Sequence, residues 1–414
     1  MARLTGTTDA TRGSIPLGFV ALGILLAAAP LVFGSSMALS VLSQIGCAII
    51  ICLSFNILFG QGGMLSFGHA VYTGLGAFAA VHAIRLASQG APAIPLPFMP
   101  LLGGLAGGAA AAVLGFICTR RAGTTFAMIT LGIGELVAAI ALMFPGVFGG
   151  EGGIGIDRVY GSPWLGLTFG PARQVYYLIA AYCMACAVAM YLFTGTPLGR
   201  MLNAVRDNPV RAAFVGYNPQ RVRHLAFMVS GFFAGVGGAL MAIHLEIVTG
   251  ADSLGMARSG AYLLFTFLGG AGYFFGPVIG AVLMVCSSML LSHYTQAWLH
   301  YLGLAFVLMV MFAPGGVAGG MVSLAQALRE GRIRRHAGRY VVQAVAAALM
   351  LLGGCALVEM LYHLQLDGDI DPTLRFLRFT LDVGRTAHWM GAGLLVLLGW
   401  GVLAMSRRLP GESS

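Results

Sequence analysis

Six polar or ionisable side chains, Gln61, Ser66, His69, Thr125, Thr130 and Glu135, fall inside or at the edges of long apolar runs. Glu135 stands midway along the run 124–145. A carboxylate surrounded by hydrocarbon is costly, so it must face other helices, a polar partner or water. Such a group can line or gate a path for a polar solute, or tie helices together by hydrogen bonding, protonated or not. Gln61 sits in the break Gly60-Gln61-Gly62-Gly63, with a second break at Gly269-Gly270-Ala271-Gly272. Backbone freed at such breaks can line a cavity. His69 opens the next apolar run and equally suits a satisfied structural role. Ser66, Thr125 and Thr130 can bond back to their own helices. No His, Asp or Glu cluster has metal-ligand spacing, and no nucleophile has an assignable base, so a membrane-embedded enzyme is disfavoured and no cofactor is implied. The seven cysteines all lie in apolar runs and read as small buried hydrophobes.

The segments that must position these residues belong to a bilayer. The chain has 414 residues, 58% apolar and only 9% charged, where soluble domains carry about a quarter charged residues. Its 61 glycines suit helices that approach closely in lipid. Apolar runs predict spans at 15–33, 37–59, 66–84, 97–118, 124–145, 175–194, 224–246, 257–271, 275–292, 296–313, 340–362 and 386–406. The fold class is therefore an all-α integral membrane protein with about ten core transmembrane helices and two more at the C-terminal end. The first run, preceded by Arg3 and Arg12, is longer than a usual signal core and reads as an uncleaved span. The net charge of +9 comes entirely from arginine, because the sequence contains no lysine. With the N-terminus in the cytoplasm, sixteen arginines fall on that side and seven on the other, including Arg158 and Arg258. That asymmetry follows the positive-inside rule and puts both termini in the cytoplasm of a cell whose membrane the chain crosses many times. Nucleic acid is not called for as a partner; a lipid bilayer is.

The most informative polar stretch is cytoplasmic in this topology and runs from Thr196 to Pro219. Asn208-Pro209 has the form of a helix N-cap with proline at the first helical position. Val210, Ala213, Phe214 and Tyr217 then share one face. Gly216 is a natural terminator, and Asn218-Pro219 repeats the cap and opens the next helix. The reading is a separate short helix within 206–217, amphipathic and pinned between two capped breaks. Alone it is marginal and needs a docking surface: either lipid headgroups or a groove on a nucleotide-hydrolysing partner. Arg206, Asp207, Asn208, Val210, Phe214, Gly216 and Tyr217 are the coupling candidates. Without lysine the chain holds no Gly-x-x-x-x-Gly-Lys phosphate loop, so any ATP hydrolysis belongs to another subunit.

The stretch Phe59-Gly-Gln-Gly-Gly-Met-Leu-Ser-Phe-Gly-His-Ala-Val-Tyr-Thr-Gly-Leu-Gly-Ala-Phe resembles the signature of LIV-type permeases, the membrane subunits of branched-chain amino acid ABC importers. The segments beginning at Thr124, Arg206, Leu268 and Met311 agree in order and spacing, so the resemblance covers residues 40–320. It implies a permease for a small polar solute, a second and similar permease subunit, two ATPase subunits and an extracytoplasmic solute-binding protein, in a bacterial inner membrane. Systems of this type carry branched-chain or other amino acids, urea, amides or aromatic acids. The resemblance divides the chain into a permease domain at 1–320, with a coupling segment at 197–223, and an extension at 321–414 for which the family gives no role. That extension adds a basic segment at 329–339 and two further spans. A proton-coupled secondary transporter with Glu135 as proton site is the rival reading; its twelve spans would fit, the capped short helix would not.

Overall fold

The computed structural model describes residues 14–90, 94–160, 166–292, 295, 297–313, 315–329, 337–366, 373–376 and 379–408. Most of the basic segment 329–339 lies outside them. The chain divides into two compact units, residues 1–286 with 312–319, and residues 287–311 with 320–414.

Helices dominate the first unit. They are α1 (Ser14–Val32), α2 (Ser36–Asn56), α3 (His69–Ser88), α4 (Met99–Cys118), α5 (Thr124–Met143), α6 (Ala172–Gly195), α7 (Pro197–Asp207), α8 (Pro209–Phe214), α9 (Pro219–Leu245), α10 (Gly250–Leu254), α11 (Met256–Gly269) and α12 (Gly276–Cys286). α2 runs on into a π-helical turn, Ile57–Gln61. After these, α13 (Trp298–Phe312), α14 (Gly316–Arg329), α15 (Ala337–Leu366) and α16 (Thr386–Arg408) complete the helices discussed below. Every apolar run read from the sequence forms a helix. Among the described residues eight helices are long and apolar enough to cross a membrane, or nine if Trp298–Phe312 and Gly316–Gln326 count as one bent span.

One expected boundary moves, and one expected break is kept, for identifiable reasons. The span read as beginning at 66 starts at His69, because Gly63 takes φ +63° and the chain stays irregular up to Gly68. The pair 257–271 and 275–292 is two segments, α11 and α12, separated where Gly270 adopts φ +112°. A side chain there would be strained, which fixes the break at a glycine.

The core of this unit is α9 packed on α4, α3 and α2. Where α3, α4 and α9 meet, glycine backbones touch. A Cβ added at Gly103 would lie 2.5 Å from the Cβ of Ala239 and 2.8 Å from the Gly76 carbonyl oxygen. One at Gly107 would lie 2.5 Å from the Gly231 oxygen, and one at Gly235 would strike the oxygen of Gly103. Burial of large side chains elsewhere along α2 and α9, Ile50, Leu53, Phe55, Phe227 and Leu240 among them, fills the space around this seam.

At the end of the bundle where α9 finishes, β1 (Ile154–Gly155) pairs antiparallel with β2 (Ile247–Val248). Arg158 clasps the same corner: its Nη2 donates to Gly170 O at 3.0 Å, and its Nε lies 3.6 Å from Glu246. The Tyr160 hydroxyl donates to Ile94 O at 2.7 Å, and burial pushes its pKa up to about 12.

In the second unit α15 and α16 pack antiparallel, and Gly353 and Gly399 let them approach: a Cβ at Gly399 would stand 2.6 Å from Met350 Cγ. A β-hairpin, β3 (Thr373–Phe376) with β4 (Phe379–Asp382), lies between them in sequence. Glu359 on α15 accepts hydrogen bonds from Thr295 and from the Tyr301 hydroxyl, the latter at 3.0 Å. The sequence reading passed over this carboxylate.

The glycine seam makes a direct prediction. Gly235→Ala puts a methyl against backbone atoms that cannot rotate away, which should cost about 1–3 kcal/mol. Gly132→Ala, where nothing lies within 4 Å, is the control. Thermal unfolding in detergent should show a lower midpoint for the first and none or a slight rise for the second. Equal midpoints would remove the seam from the account.

Candidate functional site

The irregular segment 62–68 between the π-helical turn and α3 is where the polar side chains converge. A π turn leaves carbonyls out of the regular ladder, and two of the groups there are taken up by α7. Arg206 Nη1 donates to Gly60 O at 2.5 Å, and Asn203 Nδ2 donates to Gln61 Oε1 at 2.9 Å. The Arg206 stem lies over Gly63, where a Cβ would come within 2.8 Å of its Cγ. Asp207 holds the same guanidinium, Nε to Oδ1 at 3.1 Å. Beside these polar groups α7 buries Leu202 and Val205 completely, with Leu202 against Gly62.

Two further helices staple the segment. Thr130 on α5 accepts from the Phe67 amide at 3.1 Å while donating to Ala127 O at 2.9 Å. Ser259 on α11 accepts from the Ala70 amide at 2.9 Å, supplying the N-terminal cap that Gly68 lacks. His69 is wholly buried, with Nε2 2.9 Å from Ser54 Oγ. The Ser54 hydroxyl spends its hydrogen on Ile51 O at 2.7 Å, so it accepts from His69, which assigns the proton to Nε2. The Ser54 carbonyl in turn accepts from Ser230 at 2.7 Å. Three buried polar atoms around this site, Asn56 Oδ1, Ser66 Oγ and His69 Nδ1, have no partner among the described residues.

The structure brings Gln61, Ser66, His69 and Thr130 to one site. Thr125 and Glu135 do not join them. Both are exposed on the surface of this chain. α5 buries only the stripe Phe126, Ala127, Thr130, Gly134 and Ala141. Glu135, one step round the helix from Gly134, shares the outward face with Met128 and Leu136.

The capped segment folds nearly as its residues dictate. Asn208 is extended, φ −155°, and its side chain accepts from the Arg211 amide at 3.0 Å. Asn218 accepts from Gln220 and Arg221 at 3.0 and 3.3 Å, and Gly216 takes φ +97°. The short helix is Pro209–Phe214, so Arg206 and Asp207 belong instead to the end of α7. Pro209 disfavours helical backbone at Asn208 and forces the division there. Val210 and Phe214 are 61% and 87% exposed, apolar side chains with no cover in this chain. α7 and Asn203 escaped the sequence reading, although Thr196-Pro197 carries the same cap signal: Thr196 Oγ1 accepts from the Gly199 amide at 3.2 Å.

Comparison with known proteins follows from this geometry. Residues 37–314 match a family described as branched-chain amino acid transport system / permease component. The high-affinity branched-chain amino acid transport system permease protein LivM of Escherichia coli is 29% identical over 292 residues, 65% of this chain and 67% of that protein. LivM of Salmonella typhimurium is 28% identical over 291 residues, again 65% and 67% of the two chains. A probable branched-chain amino acid transport permease, LivH of Methanocaldococcus jannaschii, is 22% identical over 254 residues, 59% of this chain and 77% of its own. No solved structure matches.

The α7 latch is testable without any assay of function. Hydrogen bonds to charged groups contribute about 1.5–3 kcal/mol, so Arg206→Ala should raise local opening of the break about tenfold or more. Amide exchange of Gly63 and Met64, which bond to Phe59 O and Leu58 O, reads this by mass spectrometry. Arg211→Ala, outside the latch, should leave it alone. An unchanged rate in Arg206→Ala would mean the break is held by its own backbone.

Proposed function

Because the chain belongs to the family of branched-chain amino acid transport system permease components, we propose that it is one membrane subunit of an ATP-driven importer for a small polar solute. The relatives' names make a branched-chain or other amino acid the solute of choice. The proposed assembly pairs this chain with a second, similar permease, two ATPase subunits and an extracytoplasmic solute-binding protein. In this reading ten spans form the core, α15 and α16 add two, and both termini face the cytoplasm of a bacterium.

One observation carries the proposal: α8 offers Val210 and Phe214 to the surroundings from between two asparagine caps. An isolated six-residue helix has no stability of its own, and its geometry is fixed at both ends while its apolar side chains stay bare. A groove on an ATPase fits that shape. The next link is α7, whose Arg206 and Asn203 grip the break after α2. Movement of α8 would reach the break through α7, with no flexible loop between them beyond Asn208. Glu135, exposed on α5, is then a group for the permease pair to cover or for the solute path to hydrate, as an ionisable side chain in a span requires.

Charging the α8 face should separate hydrolysis from transport. With Phe214→Asp, the chain should reach the membrane at normal levels while solute-stimulated ATP hydrolysis by the reconstituted complex falls by about tenfold, the loss of about 1.4 kcal/mol of coupling. Normal stimulated hydrolysis and uptake in that variant would sink the docking role of α8.

A further inference from the structure

At the far end of α9 from α8, helices α3, α9, α10 and α11 enclose a cavity of about 100 Å³. The cavity meets α9 from Gly238 to Leu245, so it lies roughly 30–40 Å along the helix from the capped segment. Its walls are apolar where Ala77, Met241, Leu245 and Val248 face it, and polar where Asp252, Arg258 and Tyr262 do. Pockets that hold small molecules have this make-up, an apolar body with a few polar groups that fix orientation. An engineered cavity of about 150 Å³ holds benzene, so this smaller one suits a short aliphatic side chain, with the charged head group left at its lip.

The two charges are a pair: Arg258 Nη2 lies 2.5 Å from Asp252 Oδ2, and Arg258 Nε also donates to the Asp252 carbonyl at 3.4 Å. The pair is unevenly buried, with the arginine side chain 29% exposed and the aspartate 67%. Arg258 Nη1 and Asp252 Oδ1 carry no partner among the described residues. One open guanidinium donor and one open carboxylate oxygen therefore sit side by side at the lip of an apolar cavity.

We infer that this cavity binds an amino-acid zwitterion, its carboxylate on Arg258, its ammonium on Asp252 and its side chain against Ala77, Met241 and Leu245. The inference rests on the proposed function for the solute class and adds where, and by which groups, the permease itself takes hold of it. Charge selects the ligand. A lone anion would be met by the Asp252 carboxylate and a lone cation by the Arg258 guanidinium, each a repulsion that rejects it. A neutral amide has nothing to exchange for the ion pair it would have to open. A zwitterion splits the pair and replaces it with two, so each charge keeps an opposite partner. The planar fork of arginine also matches a carboxylate with two parallel bonds. Close packing shapes the cavity: a Cβ on Gly74 would come within 2.5 Å of Leu254 and push α10, with Asp252, outward.

The test uses the permease in membrane vesicles with its native cysteines replaced. Ser253→Cys places a thiol on the cavity wall, and its labelling by an impermeant maleimide is timed with L-leucine, 4-methylpentanoate, 3-methylbutylamine or urea present. L-leucine alone should slow labelling, by about tenfold at saturation, and Asp252→Asn or Arg258→Gln should abolish the protection. Equal protection by either singly charged analogue or by urea, or protection by none, overturns the inference. The double exchange Asp252→Arg with Arg258→Asp keeps the ion pair but reverses its polarity. L-leucine should fail to protect it, although the ATPases still co-purify; normal protection would make the pair a structural clasp. If the exchanged chain does not reach the membrane, the single variants decide. Labelling needs neither ATP nor an ATPase. Absence of ATP-dependent uptake by the unmodified complex would therefore refute the proposed function while leaving the labelling result to stand on its own.

Discussion

The close approach of α3, α4 and α9 at Gly76, Gly103, Gly107, Gly231 and Gly235 is the constraint on which the rest depends. Between helices in lipid the hydrophobic effect offers nothing, since the tails are as apolar as leucine. What remains is contact between atoms, and contact is densest where no side chain intervenes. The seam sets the separation of three helices to within a methyl group. The break after α2, the start of α3 and the cavity beside α10 are all registered against it.

The break itself shows how a membrane protein keeps irregular backbone. Residues 62–68 lack the ladder of a helix, and free groups in and beside them, the Gly60 carbonyl, the Phe67 amide and the Ala70 amide, are met by α7, α5 and α11. Satisfaction from outside replaces satisfaction within the segment, as any stretch buried away from water demands. A segment held this way is well placed yet separable, because its bonds are to neighbours that can move and not to its own turn.

Much of this was legible in the residues. Every apolar run proved to be a helix, and Asn208-Pro209, Gly216 and Asn218-Pro219 located α8, because caps and positive φ are local and residue-specific. Gln61, His69 and Thr130 stood out because polar groups in apolar runs are conspicuous. What stayed hidden is long-range. Nothing in the one-dimensional pattern pairs Asn203 with Gln61, 142 positions away, or Ser259 with Ala70. For Glu135 a span shows that a carboxylate is unusual, and not which side of the helix it occupies. Glu359 was missed because it stands near the end of its apolar run, where a charge excites less notice.

α9 combines two properties described separately above. It is unbroken from the Asn218 cap to Glu246, and along its middle it meets α3 and α4 through glycines. Helices that interdigitate ridge into groove are locked against sliding, since each side chain must climb over the next. α9 is keyed in this way, with the glycines of α4 as the notches: Phe227 sits opposite Gly115 and Val236 opposite Gly104, 2.5 and 2.6 Å from where a Cβ would stand. A displacement applied at one end of α9 therefore carries α4 along with it, as a key turns the barrel in which it is seated.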